Sequence, residues 1–399
     1  MAYATTTINS ATPAADLATW LNTQLTANGW EFVETVKNAV PTITAGHCGY
    51  MYHLQSTTPL SGTATSATST TLTRTGSTWY TGGVGLGGYT VTITGGTGSG
   101  QSRTITSNTS TVLTVPTWDV TPDATSTFVI TASVDIYKSP AASNSLNTDF
   151  YVSITTGGLT DFHVGVFEEW NTSTKVKTKY APGTGVGKTI HSAGYVDDAG
   201  VNAVTHPGSK VSTVASQANV IHLTVDADKI ILGNVASEYG FFYAGIFDSF
   251  LTPTADPMPL VVMNYNTSYS AGNNGVYTRE PGAPSATQNN FQGVWGGNPT
   301  GLTTYRHSYG PVPNSNDINF LNSSDVYRPA ATARVWIATC RGSSSGYSAR
   351  GIVRDVVTSR SGGLKGDTLS VTDSNGVART YVMVSGEPSA TPKLFVPSS

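Results

Sequence analysis

The hydrophobic positions near the start of the chain follow the period of a helix. Within the first thirty residues they recur at Leu17, Trp20, Leu21 and Leu25. Thr12 can cap a helix here, Pro13 suits its first turn, and Gly29 supplies a stop. We therefore expect one amphipathic helix, whose apolar face covers a sheet or docks on a neighbouring subunit.

From residue 30 onward, hydrophobic and polar positions alternate, which is the period of a β-strand. The segments 30–36 and 49–54 show this pattern first. Shorter segments separated by glycine turns follow at 89–94, 103–106, 112–115 and 128–130. Residues 58–132 contain no Lys, and strand-like segments resume on either side, near Tyr52 and at 134–137. This arrangement predicts a small β-module, residues 58–132, inserted into a larger domain.

Longer apolar segments predict the strands of the main sheet, at 149–154, 162–167, 220–225, 229–232 and 240–247. Residues 225–229 are typical of a tight hairpin, and Lys175, Lys177 and Lys179 can protect an edge strand. The segment 264–329 lacks periodicity, so we expect a long loop that is functional or ordered by a neighbouring chain. Further strands are predicted at 334–338, 368–371 and 378–384, with an Asn-Gly hairpin turn at 373–376.

Together these patterns predict a mainly β fold. It comprises a β-sandwich-like core with an N-terminal amphipathic helix, an inserted small β-domain and a C-terminal β-domain. The predicted boundaries are 1–57 with 133–330 for the main domain, 58–132 for the module and 331–399 for the C-terminal domain.

Composition sharpens this interpretation. Charged residues make up 11% of the 399-residue chain, against about 25% in an average globular protein. The net charge of −3 argues against nucleic-acid binding, which needs an excess of Lys and Arg. No apolar run reaches the roughly 18 residues of a membrane helix, so we expect no membrane insertion. No Lys or Arg precedes Lys37 and no apolar signal core is present, so we expect no secretory signal.

Several sequence motifs that are typical of cofactor or metal sites are present only in part. The glycine-rich stretch 183–189 ends like a phosphate-binding loop, but Pro182 stands where its first glycine belongs. His47 and His53 flank Cys48 without a further ligand at zinc-site spacing. The other histidines are scattered, at His163, His191, His206, His222 and His307. Cys48 and Cys340 cannot build a disulfide framework; reduced core thiols are favoured, and their pairing in the fold stays open.

Two pairs of acidic residues also lack the partners that a metal site or a catalytic site would need. Asp226 and Asp228 resemble the start of a calcium loop, but Ile230 occupies the next ligand position. Glu168 and Glu169 are neighbours in a strand pattern and point to opposite faces, so they cannot flank one glycosidic bond. We therefore assign no catalytic, cofactor-binding or metal-binding residue and expect no enzymatic activity.

Arginines are concentrated in the last quarter of the chain, at Arg328, Arg334, Arg341, Arg350, Arg354 and Arg360. Arginine suits interfaces because its planar guanidinium binds carboxylates through two hydrogen bonds. A solvated face is an equally open interpretation, and a DNA-facing role is the least favoured of the three.

One stretch carries a resemblance to a known class of proteins. Residues 89–109, which begin Tyr-Thr-Val-Thr-Ile-Thr-Gly-Gly, continue through Trp118 to 122–130, Pro-Asp-Ala-Thr-Ser-Thr-Phe-Val-Ile. This sequence resembles small β-modules that recur in structural proteins of tailed bacteriophages. The flanking segments 134–142, 149–152 and 256–262 are similar to parts of tail- or neck-associated proteins.

The resemblance implies a virion structural protein, assembled in the host cytoplasm as a homo-oligomer at the neck or collar, tail or baseplate. Its expected partners are other copies of itself and neighbouring virion proteins. One alternative is a fibre or spike subunit that binds a receptor or host-surface glycan, with Trp79, Tyr80 and Trp118 stacking on sugars. A capsid decoration protein is a second alternative. A virion-borne hydrolase is a third, and it would need an acid pair or triad that the sequence does not supply.

Overall fold

The computed structural model describes residues 1–10, 12–39, 60–79, 86–156, 161–173, 176–178, 209–212, 216–236, 241–253, 258–265, 275–278, 306–309, 332–340, 347–359, 364–372, 378–385 and 393–398. Within these ranges the chain has one helix and is otherwise built from antiparallel strands. The predicted mainly β fold class is confirmed.

The strands are numbered along the chain. The first half contains β1 (Ala2–Ile8), β2 (Glu31–Ala39), β3 (Ser61–Thr63), β4 (Ser66–Thr68), β5 (Thr71–Thr73), β6 (Thr90–Gly95), β7 (Ser102–Thr104), β8 (Ser107–Asn108), β9 (Val112–Thr114), β10 (Thr127–Lys138), β11 (Tyr151–Thr156), β12 (Asp161–Phe167), β13 (Glu169–Asn171) and β14 (Val176–Thr178). The second half contains β15 (Ser209–Ser212), β16 (Asn219–Val225), β17 (Lys229–Asn234), β18 (Phe241–Ile246), β19 (Asp248–Ser249), β20 (Leu260–Tyr265), β21 (Gly275–Thr278), β22 (Arg306–Tyr309), β23 (Thr332–Cys340), β24 (Tyr347–Ser359), β25 (Thr368–Thr372), β26 (Ala378–Ser385) and β27 (Lys393–Pro397).

Helix α1 spans Pro13–Ala27 and buries its leucines completely. Thr12 occupies the N-cap position but makes no side-chain capping bond, so that part of its expected role is wrong. Its carbonyl instead accepts the first helical hydrogen bonds. At the other end, Gly29 adopts a positive φ of 86°, and the amide of Trp30 bonds back to Leu25. A glycine in this position lets the chain leave the helix without steric strain.

The central sheet has the strand order β1-β16-β17-β18-β20-β21. It is apolar on both faces, which explains why β18 is a continuous hydrophobic run. Phe242, Ala244 and Ile246 of β18 face one apolar cluster, while Phe241 and Tyr243 face another. Because side chains alternate along a strand, such a run is expected only where both faces of a sheet are covered.

The outer sheet has the order β15-β12-β11-β10-β6-β7, with β2 and β3 also paired to β10. Its residues share one apolar cluster with helix α1 and the central sheet; Val152, Leu21 and Leu223 are examples from each. The strands β13 and β14 form a separate two-stranded hairpin. The N-terminal helix and two sheets therefore enclose the largest core of the described chain.

Strand β10 passes from the module into the outer sheet without interruption. Thr131 pairs with Ala39 of β2 on one edge and with Thr90 of β6 on the other. The separate strands predicted at 128–130 and 134–137 are thus one strand, because β2 and β11 continue the pairing that β3 and β6 begin. The module's apolar cluster nevertheless consists of residues between 60 and 130 alone. The division into domains stays a prediction.

The C-terminal sheet has the order β22-β23-β24-β27-β26-β25, and β19 pairs with β24. It covers the second face of the central sheet through an apolar cluster that includes Tyr243, Val353 and Val384. The two sheets approach closely at Gly233, where an added Cβ would lie 2.1 Å from Val384 Cγ1. The segment 264–329, expected to be a loop, contributes β21 and β22, which are too short to give a periodic signal.

Candidate functional site

Seven charged side chains meet where the central sheet contacts the C-terminal sheet. They lie on the β16–β17 hairpin, on β19, on β24 and on β26, and comprise Asp226, Asp228, Lys229, Asp248, Arg354, Asp355 and Arg379. We call this group the junction network. In a chain with few charges, such a concentration is the clearest cluster of chemically functional groups among the described residues.

The hairpin that carries three of these residues is shaped by Asp226. Its Oδ1 accepts the backbone amides of Asp228 at 2.9 Å and of Lys229 at 3.2 Å. An Asp that bonds to the amide two residues onward stabilises a tight turn. The carbonyl of Asp226 also accepts the indole N–H of Trp30 at 2.9 Å. The loop between β16 and β17 is therefore held from both sides and presents Asp228 and Lys229 in defined positions.

A bulge in β24 supplies Arg354 and Asp355. Strand β24 advances from Ile352 to Val357 while its partner β23 moves only from Trp336 to Arg334. Val353 and Val356 within the bulge enter the apolar cluster, and Asp355 adopts a φ of 58°. A bulge redirects side chains, and a non-glycine residue at positive φ is held there by its surroundings. The bulge thus turns two charged residues toward the β16–β17 hairpin.

Lys229 is the most enclosed member of the junction network, with only 3% of its surface exposed. Its Nζ lies 2.5 Å from Asp226 Oδ2 and 2.9 Å from Asp355 Oδ2. Burial alone would lower the pKa of Lys229, but the negative charges of Asp355 and Asp226 outweigh it and the pKa is raised. Gly245 packs directly against this lysine; its φ is 146°, and a Cβ there would lie 2.6 Å from Lys229 Cα.

Arg354 and Arg379 extend the junction network to other segments. Arg354 Nε lies 2.7 Å from Asp248 Oδ1, and its Nη1 pairs with Asp228 Oδ2 and donates to Ser145 Oγ at 3.1 Å. Ser145 precedes the outer-sheet strand β11, so this arginine connects three parts of the chain. Arg379 Nη1 lies 3.2 Å from Asp355 Oδ1. Each of the four carboxylates therefore has at least one cationic partner.

This arrangement is suited to cohesion between layers. Removing two charges from water costs several kcal/mol for each ion, and close pairing with further hydrogen bonds offsets that cost. Breaking one partner of such a pair leaves an uncompensated charge and is strongly destabilising. The junction network thus makes the contact between the central and C-terminal sheets depend on a specific register.

Sequence reasoning identified part of the junction network without its partners. Asp226 and Asp228, considered as calcium ligands, bind cations of the chain itself. Arg354, considered for an interface, pairs within the chain; the side chains of the other five arginines in that set lie outside the described residues. Lys229, Asp248 and Arg379 were not singled out. A charged residue inside an apolar strand pattern, as at Lys229, is the signal that could have found them, because a buried charge requires a partner.

The tryptophans expected to stack on sugars are buried. Trp79 and Trp118 are 2% and 3% exposed and belong to the core of the module. Arg103 covers the Trp118 ring at 5.7 Å and pairs with Asp119. The expectation of exposed aromatic rings was therefore wrong for these two residues, because the small module needs them to fill its interior. Tyr80 lies outside the described residues.

The remaining candidate residues are not brought together. Glu168 is buried, whereas its neighbour Glu169 is half-buried. His222 lies inside β16, where burial lowers its pKa. The other histidine side chains, both cysteine side chains and the stretch 183–189 lie outside the described residues. In the described ranges, no group of three or more His, Cys, Asp or Glu residues could hold a metal ion.

Two further findings bear on the class of protein. Within the described part of the chain, no helix combines the length and apolarity needed to cross a membrane. No protein-family model matches the chain, and no curated protein matches it.

Proposed function

We propose that the protein is a structural component of a tailed-phage virion, assembling as a homo-oligomer at the neck or collar, tail or baseplate. The observation that supports this proposal best is the position of the junction network between the layers of the chain. The chain has few charges, and a concentrated group of them joins its layers to one another through ion pairs. A subunit that must keep its shape under load and dilution benefits from such cohesion.

The fold supports the same interpretation. The central sheet is covered on both faces, and the resulting clusters enclose large aromatic side chains such as Phe242, Tyr243 and Phe247. Close packing of this kind gives interiors of low compressibility. The resemblance of residues 89–130 to small β-modules of phage structural proteins is the reason for proposing a phage particle. The glycan-binding alternative loses support, since Trp79 and Trp118 are committed to the module's core.

Negative-stain electron microscopy of the purified full chain tests this proposal. We expect class averages with rotational symmetry, because virion parts at these positions are closed assemblies of identical subunits. A glycan array run on the same preparation separates the alternatives. Single unassembled subunits at every protein concentration, together with tight binding to a defined glycan, would contradict the structural role.

A further inference from the structure

Lys229 is the only basic residue that is buried among the described side chains. By contrast, Lys138 pairs with Glu31 at the surface, where the two side chains are 29% and 58% exposed. A buried amine held against carboxylates is more than a charge pair, because an amine is also a nucleophile once it gives up a proton. The surroundings of Lys229 therefore decide whether it can react.

Those surroundings contain each part that an acyl-transfer step needs. The amine Nζ touches Asp355 Oδ2 at 2.9 Å, so the carboxyl carbon of Asp355 is one bond farther. Asp226 Oδ2, 2.5 Å from Nζ, can accept a proton and return it. Arg379 Nη1, 3.2 Å from Asp355 Oδ1, can stabilise negative charge on that oxygen. Nucleophile, acceptor carbon, proton carrier and oxyanion partner thus converge on one point.

We propose that Lys229 and Asp355 condense into an amide that joins β17 of the central sheet to β24 of the C-terminal sheet. The ammonium and the carboxylate together contain the atoms of the amide plus one water. No oxidant, cofactor or external proton is needed. The inference depends on these contacts and not on the assignment to a phage particle.

The step can be followed atom by atom. Nζ transfers one proton to Asp226 Oδ2, and its lone pair forms a bond to the carboxyl carbon of Asp355. The displaced electron pair moves onto Oδ1, beside Arg379. Oδ2 then receives the proton from Asp226 and a second proton from the nitrogen. The electron pair on Oδ1 re-forms the C=O bond as the bond between the carbon and Oδ2 breaks to release water. Asp226 is again a carboxylate, and Lys229 keeps one N–H in the amide.

The location favours the product. A buried ammonium beside a half-buried carboxylate is costly, and the amide that replaces them is neutral. The turn of the β16–β17 hairpin and the bulge of β24 hold the reacting groups in contact, which removes most of the entropic barrier to an intramolecular reaction. The carboxylates of Asp226 and Asp355 are each 22% exposed, so the released water has a route to solvent.

Intact-mass spectrometry of the purified full chain tests the proposal directly. We expect a mass lower than the sequence mass by one water molecule. After trypsin digestion we expect no cleavage after Lys229 and a branched product that contains the peptide 355–360. A full sequence mass with normal cleavage after Lys229 would overturn the proposal. So would a lost water with normal cleavage there, since that pattern indicates a succinimide elsewhere.

Matched variants identify the participants. Lys229→Arg and Asp355→Gly should each restore the full sequence mass; glycine tolerates the positive φ at position 355. Lys138→Arg should leave the lost water unchanged. Asp226→Asn should slow the step about hundredfold or more, the usual contribution of a positioned proton carrier. A fully linked Asp226→Asn variant would exclude Asp226 from the step.

Discussion

The module and the junction network show two ways in which this chain holds itself together. In the module, residues from 60 to 130 supply the whole apolar cluster, and its partners are close in sequence. In the junction network, the partners are distant, since Asp228 contacts Arg354 and Lys229 contacts Asp355. The module relies on apolar packing, reinforced by Thr and Ser hydrogen bonds such as that between Thr97 and Asp123.

The module and the junction network differ in how strictly their contacts fix one arrangement of the strands. Apolar packing tolerates many arrangements of similar volume, and local contacts close with little loss of chain entropy. Distant sheets could slide past each other if only apolar groups joined them. Charged pairs with fixed geometry disfavour such displacement, because every shifted register leaves a buried charge unpaired. The charged pairs, which are costly to bury, therefore lie between sheets whose relative register is least determined by local sequence.

The largest effect is expected from Lys229→Met, which leaves the buried side of the junction network without its amine. We expect a loss of at least about 3–5 kcal/mol in the free energy of unfolding, the usual result of removing one partner of a buried pair, because the variant also cannot form the amide proposed above. Urea unfolding of the full chain measures it. Lys138→Met, at the exposed pair with Glu31, is the matched control and should cost under about 1 kcal/mol. Equal losses in both variants would contradict the special role of burial.

The next effect is expected from Leu113→Ala in the module's core, where Leu113 is fully buried. Loss of its side chain should destabilise the module by about 2–5 kcal/mol through lost burial and a residual cavity. Hydrogen exchange followed by mass spectrometry should show faster exchange in peptides from 60–126 and unchanged exchange in β16 and β24. Val120→Ala, at a position 52% exposed, should change neither region. Faster exchange throughout the chain would show that the two regions are not independent.

A smaller effect is expected from Gly233→Ala, which forces a methyl group against Val384 at the contact of the two sheets. Overpacking of this kind costs about 1–3 kcal/mol. The double variant Gly233→Ala with Val384→Ala should recover part of the stability, measured by the urea midpoint. No recovery would place the strain elsewhere than in this contact.

His222 should give the chain a weak pH dependence of stability. Burial lowers its pKa in the folded state, and Nδ1 has no hydrogen-bond partner among the described residues. The stability that the neutral His222 side chain contributes is therefore fully present above the unfolded-state pKa of about 6.5. It is lost as pH falls through the lower folded-state pKa. Thermal unfolding should show a slope in this window that His222→Gln removes. An unchanged slope would assign it to another group.

Deletion of residues 58–131 should change the remaining core least of all. The cluster shared by helix α1, the central sheet and the outer sheet includes no residue of that range. The shortened chain should unfold cooperatively, with residues 132–138 still able to pair with β2 and β11. Loss of cooperative unfolding would show that the uninterrupted strand β10 makes the module part of the main domain.

Strong periodic segments could be predicted from the sequence, while strands whose alternation is weak or interrupted could not. Helix α1 and strands such as β16 and β18 follow from spacing and apolar content alone. Strand β24 was not predicted, because Arg350, Arg354 and Asp355 interrupt its apolar pattern and the bulge shifts its period. Strand β1 was not predicted either, since Ala2–Ile8 shows weak alternation and gains its partner from β16, more than two hundred residues away.

The junction network shows the same limit for the candidate site. Asp226, Asp228 and Arg354 could be noticed as charged residues, but their pairing depends on how the C-terminal sheet covers the central sheet. No local spacing encodes that contact. The burial of Trp79 and Trp118 likewise depends on the closure of the module, which needs their volume for its interior.

Native mass spectrometry of the purified full chain tests the proposal that this protein assembles with copies of itself. We expect a closed homo-oligomer with a defined number of subunits that persists on dilution. A trimer would favour a fibre or spike, and a ring of more subunits would favour the neck or baseplate. A monomer at all concentrations would contradict self-assembly.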